Sequence, residues 1–233
     1  MIFSIKPLLV GVREVDQGIM TYQRAYGRRI WLAMWSFLIR SDNHAILVDT
    51  GMDDFVTPKE FTLQTGLEPK FMDEALLDNG LKPDDITMVI NTHLHDDHCG
   101  NNRLFSKALF FIQEKEIESC HNPHPLDYRY EPDFIEGLQV QAVKGDLEIL
   151  PGLKVFFTPG HTPGGQTVQV VTSKGLVVIP GFCSNRHNFP ASGPAVCPGV
   201  HCDAYLAFDT AQRVKNMGGT VLPLHELDLA NML

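Results

Sequence analysis

No stretch of the sequence is long and apolar enough to cross a bilayer. The opening residues, Met1-Ile2-Phe3-Ser4-Ile5-Lys6, lack the basic segment, apolar run and cleavage site of a secretory signal. The expectation is therefore a cytoplasmic chain with no membrane partner. Basic charge is also scarce: 19 Lys and Arg stand against 28 Asp and Glu, a net charge of -9. Phosphate backbones are bound by concentrated basic surfaces, so this balance argues against a nucleic-acid partner. Cysteine is sparse and odd in number, with five residues (Cys99, Cys120, Cys183, Cys197 and Cys202) at no regular spacing. That usage fits free thiols in a reducing compartment rather than a disulfide framework. No boundary divides the chain, and 233 residues at 44% hydrophobic content can bury one core, so a single domain over 1–233 is expected.

What the sequence does have is concentrated at one place. Residues 91–100, Asn-Thr-His-Leu-His-Asp-Asp-His-Cys-Gly, follow the apolar run Ile86-Thr87-Met88-Val89-Ile90. An extended backbone sends residues i and i+2 to one side, so a strand leaving its sheet at Asn91 aims His93 and His95 together. Asp97 and His98 follow where the chain turns. Neutral imidazole and carboxylate are the donors that Zn²⁺ and similar cations prefer, and this density of them far exceeds that of a polar surface turn.

Other segments frame this one. Residues 2–10, 28–39, 45–48, 86–90, 108–112, 138–143, 147–150, 153–157, 167–171, 176–179 and 220–222 read as strands. Helices are expected over 58–79, from 100 through 105, over 114–119 and over 204–217, the last capped by Asp203. Trp31, Trp35 and Phe37 alternate on one face, as core or as the wall of a ligand channel. Residues 121–136 are proline-broken and irregular, as in a loop or lid beside a pocket, and His121 and His124 within them are weaker ligand candidates. In Thr158-Pro159-Gly160-His161-Thr162-Pro163-Gly164, two prolines and two glycines hold one histidine in a rigid loop. His201 and Cys202 form an unconvincing ligand pair before the last helix.

The runs at 92–100, 47–52 (Leu-Val-Asp-Thr-Gly-Met) and 158–166 (Thr-Pro-Gly-His-Thr-Pro-Gly-Gly-Gln) resemble the metallo-β-lactamase fold superfamily. They look most like its N-acyl-homoserine lactonase branch. The resemblance implies an α/β fold, a four-layer αββα sandwich, with a dinuclear site at one edge of two packed sheets. His93, His95 and His161 would bind one metal, and Asp97, His98 and His225 the other. Asp97 would double as the catalytic carboxylate. Asp49 would orient a ligand histidine, unless it merely caps the turn after its strand. Relatives place a bridging Asp at the strand end where this chain has Cys183, so Cys183 is expected to be a thiolate ligand or else a packed thiol. The implied cofactors are two divalent ions, most naturally zinc, with iron or manganese as alternatives. A hydroxide between them would attack the carbonyl of a small lactone or related cyclic ester or amide. An iron redox enzyme and a non-catalytic binding protein remain the alternatives, and the sequence is compatible with a homodimer.

Overall fold

Two sheets meet through the alternating residues of their strands. In the computed structural model, which describes residues 1–229 and 232, the first sheet comprises β1 (Ser4–Asp16), β2 (Arg29–Ser41), β3 (His44–Val48), β4 (Met88–Ile90), β5 (Leu109–Gln113) and β6 (Gln139–Val143), in that spatial order. Its β1, β2 and β3 pair antiparallel, while β3 through β6 pair in parallel. The second sheet has the order β11-β10-β9-β8-β7, built from β7 (Leu147–Leu150), β8 (Leu153–Phe157), β9 (Gln166–Thr172), β10 (Gly175–Ile179) and β11 (Thr220–Val221).

Burial on both faces explains why the strands read as continuous apolar runs. Phe37, Ile39, Ile46, Val48 and Ile90 of the first sheet pack against Val155, Val168, Val170 and Ile179 of the second. The intervening residues Leu38, Leu47, Val89, Phe110 and Ile112 point the other way, onto Met72, Ala75 and Leu76 of α2 (Met72–Leu77) and Cys120 of α4 (Glu114–His121). On the far side, Val178 meets Ala211 and Val214 of α5 (Ala204–Lys215). Helix, sheet, sheet and helix make the four-layer αββα sandwich.

Three expected elements differ from what forms. The helix expected over 58–79 is two, α1 (Lys59–Thr65) and α2. Gly66 adopts φ 69° and donates to Thr62 O, which closes α1 in a left-handed cap before Pro69 can interrupt it. The first strand does not stop at Gly11 but runs to Asp16, with its pairing to β2 shifting between Leu9 and Val12. Gly11 is thus part of a bulge, where a Cβ would lie 2.8 Å from Met34 Sδ. The segment expected as a helix from 100 through 105 forms a tighter turn at Asn102–Phe105, and a one-turn helix α3 (Asp96–Cys99) precedes it.

The strands deliver chain to a common edge. Asp49 follows β3, His93 follows β4, His161 follows β8, Cys183 follows β10 and His225 follows β11. The resulting loops are tied together by one buried carboxylate on α4. Glu116 Oε1 accepts from Leu94 N at 2.9 Å and from Tyr130 O–H at 2.7 Å, while Oε2 accepts from Gly164 N at 2.9 Å. The approach is close enough that a Cβ on Gly164 would fall 2.1 Å from Glu116 N, which demands glycine there. Replacing Glu116 with Ala strands three buried donors at once. We expect Glu116→Ala to lower the free energy of unfolding by about 3 kcal/mol or more, and Glu116→Gln by less. Denaturant titration checks this, and an unchanged midpoint for Glu116→Ala would show that the loops are held by other means.

Candidate metal centre

The residues between β4 and α3 are shaped by Asp49. This fully buried residue sits at φ 60°, a left-handed backbone uncommon for aspartate. The conformation turns its carboxylate under the next strand's loop. Oδ1 accepts from Thr92 N at 2.7 Å, and Oδ2 accepts from Thr92 Oγ1 at 2.8 Å and from His98 Nδ1 at 2.9 Å. Asp49 therefore orients a histidine, as the resemblance implied.

Each of five histidines is held by one ring nitrogen, so the other is left to face inward. His98 is held at Nδ1 by Asp49. Thr92 Oγ1 gives its proton to Asp49, so it accepts from His93 Nδ1 at 3.0 Å. His161 Nδ1 donates to Val200 O at 2.7 Å, and His225 Nδ1 to Ala33 O at 2.8 Å. His95 is held the other way round, with Nε2 3.1 Å from Asp127 Oδ2. These outer contacts fix the tautomers and direct four Nε2 lone pairs and one Nδ1 lone pair to a common space.

Those inward atoms fall into two groups. One donor atom from each of His93, His95 and His161 lies within 4.8 Å of the others, and the same holds for Asp97, His98 and His225. Within the first group, His93 Nε2 and His161 Nε2 stand 3.3 Å apart. Two lone pairs at that distance repel unless something positive lies beside them. In the second, Asp97 Oδ2 is 3.6 Å from His98 Nε2 and 3.9 Å from His225 Nε2, and His225 Nε2 is buried with no hydrogen-bond partner among the described residues. The arrangement is a socket for cations, and both groups fit divalent metal.

Electrostatics agree with the geometry. Burial, then the neighbouring His98 and His95, pull the pKa of His93 well down; burial and His95 do the same to His161. Burial, then His98, lowers His225 to about 4. Burial also disfavours the charged form of His98, but Asp97 and then Asp49 outweigh it and raise its pKa to about 9. Burial would raise Asp97, yet His98 and His225 together carry it well below the usual carboxylate range. Positive charge is thus favoured at His98, which Asp49 and Asp97 flank, while burial favours the neutral form of His93, His161 and His225.

Six of the residues singled out from the sequence come together here: His93, His95, Asp97, His98, His161 and His225. Cys183, expected between two metals, belongs to neither group. Its Sγ lies 3.3 Å from Met20 Sδ in a cluster with Met20, Leu32, Met34 and Met52, and burial pushes its thiol pKa up. It still forms part of the pocket wall. His121 and His124 are exposed, His201 packs edge-on against Tyr22, and Cys202 Sγ donates to Gly160 O, all outside both groups. Sequence reasoning missed Asp127 and Glu116. The irregular 121–136 segment was legible as a lid, but nothing in its composition separates Asp127 from its polar neighbours.

The six side chains open into a cavity of about 380 Å³. Val15, Ile19, Leu32, Leu126 and Val200 give it apolar walls, and Arg13 and Arg129 stand at its rim, paired with Asp96 and Asp127. Leu126 and Tyr128 come from the lid and are more than four-fifths exposed, at 84% and 88%.

Comparison with known proteins places this geometry. An N-acyl homoserine lactonase of Bacillus cereus is 32% identical over 203 residues, which cover 82% of this chain and 78% of that protein. A mutant of B. thuringiensis AiiA, solved with N-decanoyl-L-homoserine bound at its active site, superposes with a TM-score of 0.78 at 25% identity, covering 100% of this chain and 97% of that one. An N-acyl homoserine lactone hydrolase with its product N-hexanoyl-L-homoserine at the catalytic metal centre gives a TM-score of 0.77 at 25% identity, with the same coverage of the two chains, 100% and 97%. Residues 29–181 match the family model of the metallo-beta-lactamase superfamily, and with strand ends gathering the donors at one edge of an αββα sandwich, the chain belongs to that superfamily.

Proposed function

We propose that the protein is a metal-dependent hydrolase of small lactones or related cyclic esters and amides. The observation that carries this reading is the set of five histidines, each tied outward by one ring nitrogen and open inward at the other. His93, His95 and His161 hold one divalent cation in this reading, and Asp97, His98 and His225 hold a second. Zinc suits such imidazole and carboxylate donors best. Two cations so placed supply a nucleophilic water at neutral pH and positive charge opposite the developing oxyanion. The lactone branch of the chemistry is supported by the relatives, whose names and bound products are those of N-acyl homoserine lactonases.

The chain's own residues do the remaining work. Asp97 is the carboxylate within the two groups. It is therefore the group to take a proton from the attacking water and return it to the leaving alkoxide. Asp49 and Asp127 keep His98 and His95 from turning as charge shifts in the site. The apolar walls exclude bulk water, so a ring held there meets few competing hydrogen-bond partners.

Two outcomes test the reading. The purified protein should contain about two divalent ions per chain by elemental analysis, and chelation should abolish lactone turnover until metal is returned. Asp49→Asn places an amide where two donors now converge, and should weaken metal binding by about 10- to 100-fold in competition with a chelator. Full activity without metal, or unchanged affinity in that variant, would sink the proposal. A separate outcome concerns Cys183. Because both groups are complete without it, Cys183→Ala should keep both metals. X-ray absorption of the zinc protein should then lack the sulfur shell at about 2.3 Å that a thiolate ligand gives. Detection of that shell would return Cys183 to the ligand set.

A further inference from the structure

Beside the metal centre lies a second cavity, and its charge is opposite to that of the chain as a whole. His225 lines both the metal cavity and this neighbour of about 370 Å³, whose other walls include Arg28, Trp31, Arg186 and His187. Arg28, Arg186 and His187 continue into a third cavity of about 550 Å³, where Arg24 joins them. In a chain of net charge -9, three arginines against the one carboxylate of Glu226 along one connected cleft are a local reversal of sign.

The arginines differ in what they already hold. Arg186 is committed to the buried Glu226, with Nε 3.0 Å and a terminal guanidinium nitrogen 2.7 Å from Oε1, and its backbone N 2.8 Å from Oε2. Arg13, Arg29, Arg103, Arg129 and Arg213 likewise each face a carboxylate. Arg24 and Arg28 do not: among the described residues neither side chain meets an acidic partner. A guanidinium that lines a cleft without a carboxylate is open to one brought by a ligand.

The segment carrying them is held in shape. Asp16 pins both ends of the turn, accepting from Gly18 N and from Gly27 N at 2.7 Å each. Tyr22 N bonds Cys197 O at 2.9 Å, and Asn188 Nδ2 bonds Met20 O at 2.7 Å, which fasten the middle to a neighbouring loop. Within this frame Gln23 and Ala25 sit at φ 55° and 54°, left-handed conformations that cost energy for residues with a Cβ. Such backbone persists only where its surroundings over-determine it, and it clusters at ligand clamps. Here it sets the positions of Arg24 and Arg28 on either side of Ala25.

We propose that the cleft is a binding site for the acidic tail of the substrate: the ring sits at the metal centre, and a terminal carboxylate on its acyl arm reaches past His225 to Arg28 and Arg24. The arm lies along Trp31, whose ring is fixed by its Nε1 donating to Gln64 Oε1 at 2.8 Å. This assignment rests on the lactonase reading for the ring, but the anion site itself does not. The preferred substrate class is then a lactone whose acyl group ends in a carboxylate, rather than one with a plain alkyl chain.

Two measurements on the metal-loaded protein separate the two claims. In the first, unbranched dicarboxylates of increasing length, glutarate to sebacate, are titrated against the monocarboxylates of equal carbon number. The first carboxylate is common to both series, so any gain comes from the second. At the matching length the diacid should bind about tenfold more tightly, with the gain lost in Arg24→Ala/Arg28→Ala and largely restored by Arg28→Lys in place of Arg28→Ala. In the second, the ratio of kcat/KM for an ω-carboxyacyl lactone to that for its methyl ester should fall by about tenfold in the double Ala variant, and fall further in Arg28→Glu. Equal binding of mono- and diacids at every length, or a gain that survives loss of both arginines, overturns the anion site. A diacid gain without hydrolysis of any lactone keeps the anion site and overturns the lactonase reading instead.

Discussion

The site depends on one buried carboxylate held in an unusual backbone conformation. Asp49 meets three donors from the loop that follows β4, and each bond does a different job. The bond to Thr92 N sets where the loop leaves the sheet, the bond to Thr92 Oγ1 polarises the hydroxyl that holds His93, and the bond to His98 settles which of its nitrogens faces the cavity. One charge thereby positions a residue from each donor group. Burying it is costly in isolation, so the three bonds must all form together.

Around this anchor, charge is sorted by position. Asp49 is acidic and fully buried, and Asp97, partly open to the cavity, joins it in inviting positive charge. Beside them stands a ring of imidazoles kept neutral by burial, His93, His161 and His225, ready to donate electrons rather than carry charge. The outer layer on the side of β2 is basic. Arg13 and Arg129 at the rim of the metal cavity are each paired with a carboxylate, so the guanidiniums without an acidic partner among the described residues are those of Arg24 and Arg28 in the adjoining cleft, set in a chain whose net negative charge turns other anions away. The net charge of -9 and the basic cleft are therefore complementary features of one electrostatic design.

The sandwich was legible because the family resemblance implied it and because its apolar runs are separated by strong punctuation: 158–164 could be little else than a rigid loop around His161. His93, His95, Asp97 and His98 were legible because histidine and aspartate massed at one strand end carry both pattern and chemistry, while His161 and His225 were singled out chiefly by the family resemblance. What could not be read were partnerships across long separations. His225 is oriented by a main-chain carbonyl 192 positions away, which leaves no mark on the residue at 33. Asp127 meets His95 only because Arg129, Tyr130 and Glu116 bring the lid down. Cys183 was read as a thiolate ligand or else a packed thiol, and nothing in the sequence told that its Sγ meets the thioether of Met20, 163 positions away. Periodicity likewise continued one helix across Gly66, where a left-handed cap ends it.

The unequal way the histidines are oriented gives the site uneven tolerance to sequence drift. His161 and His225 lean on the carbonyls of Val200 and Ala33, atoms that every amino acid possesses and no point substitution deletes. His93, His95 and His98 lean on the side chains of Thr92, Asp127 and Asp49, each removable by a single codon change. Each donor group contains histidines of both kinds. A lineage of such chains can therefore remodel the segments around 33 and 200 freely while keeping a usable donor in both groups, and its constraint falls on three small polar residues that never touch a substrate.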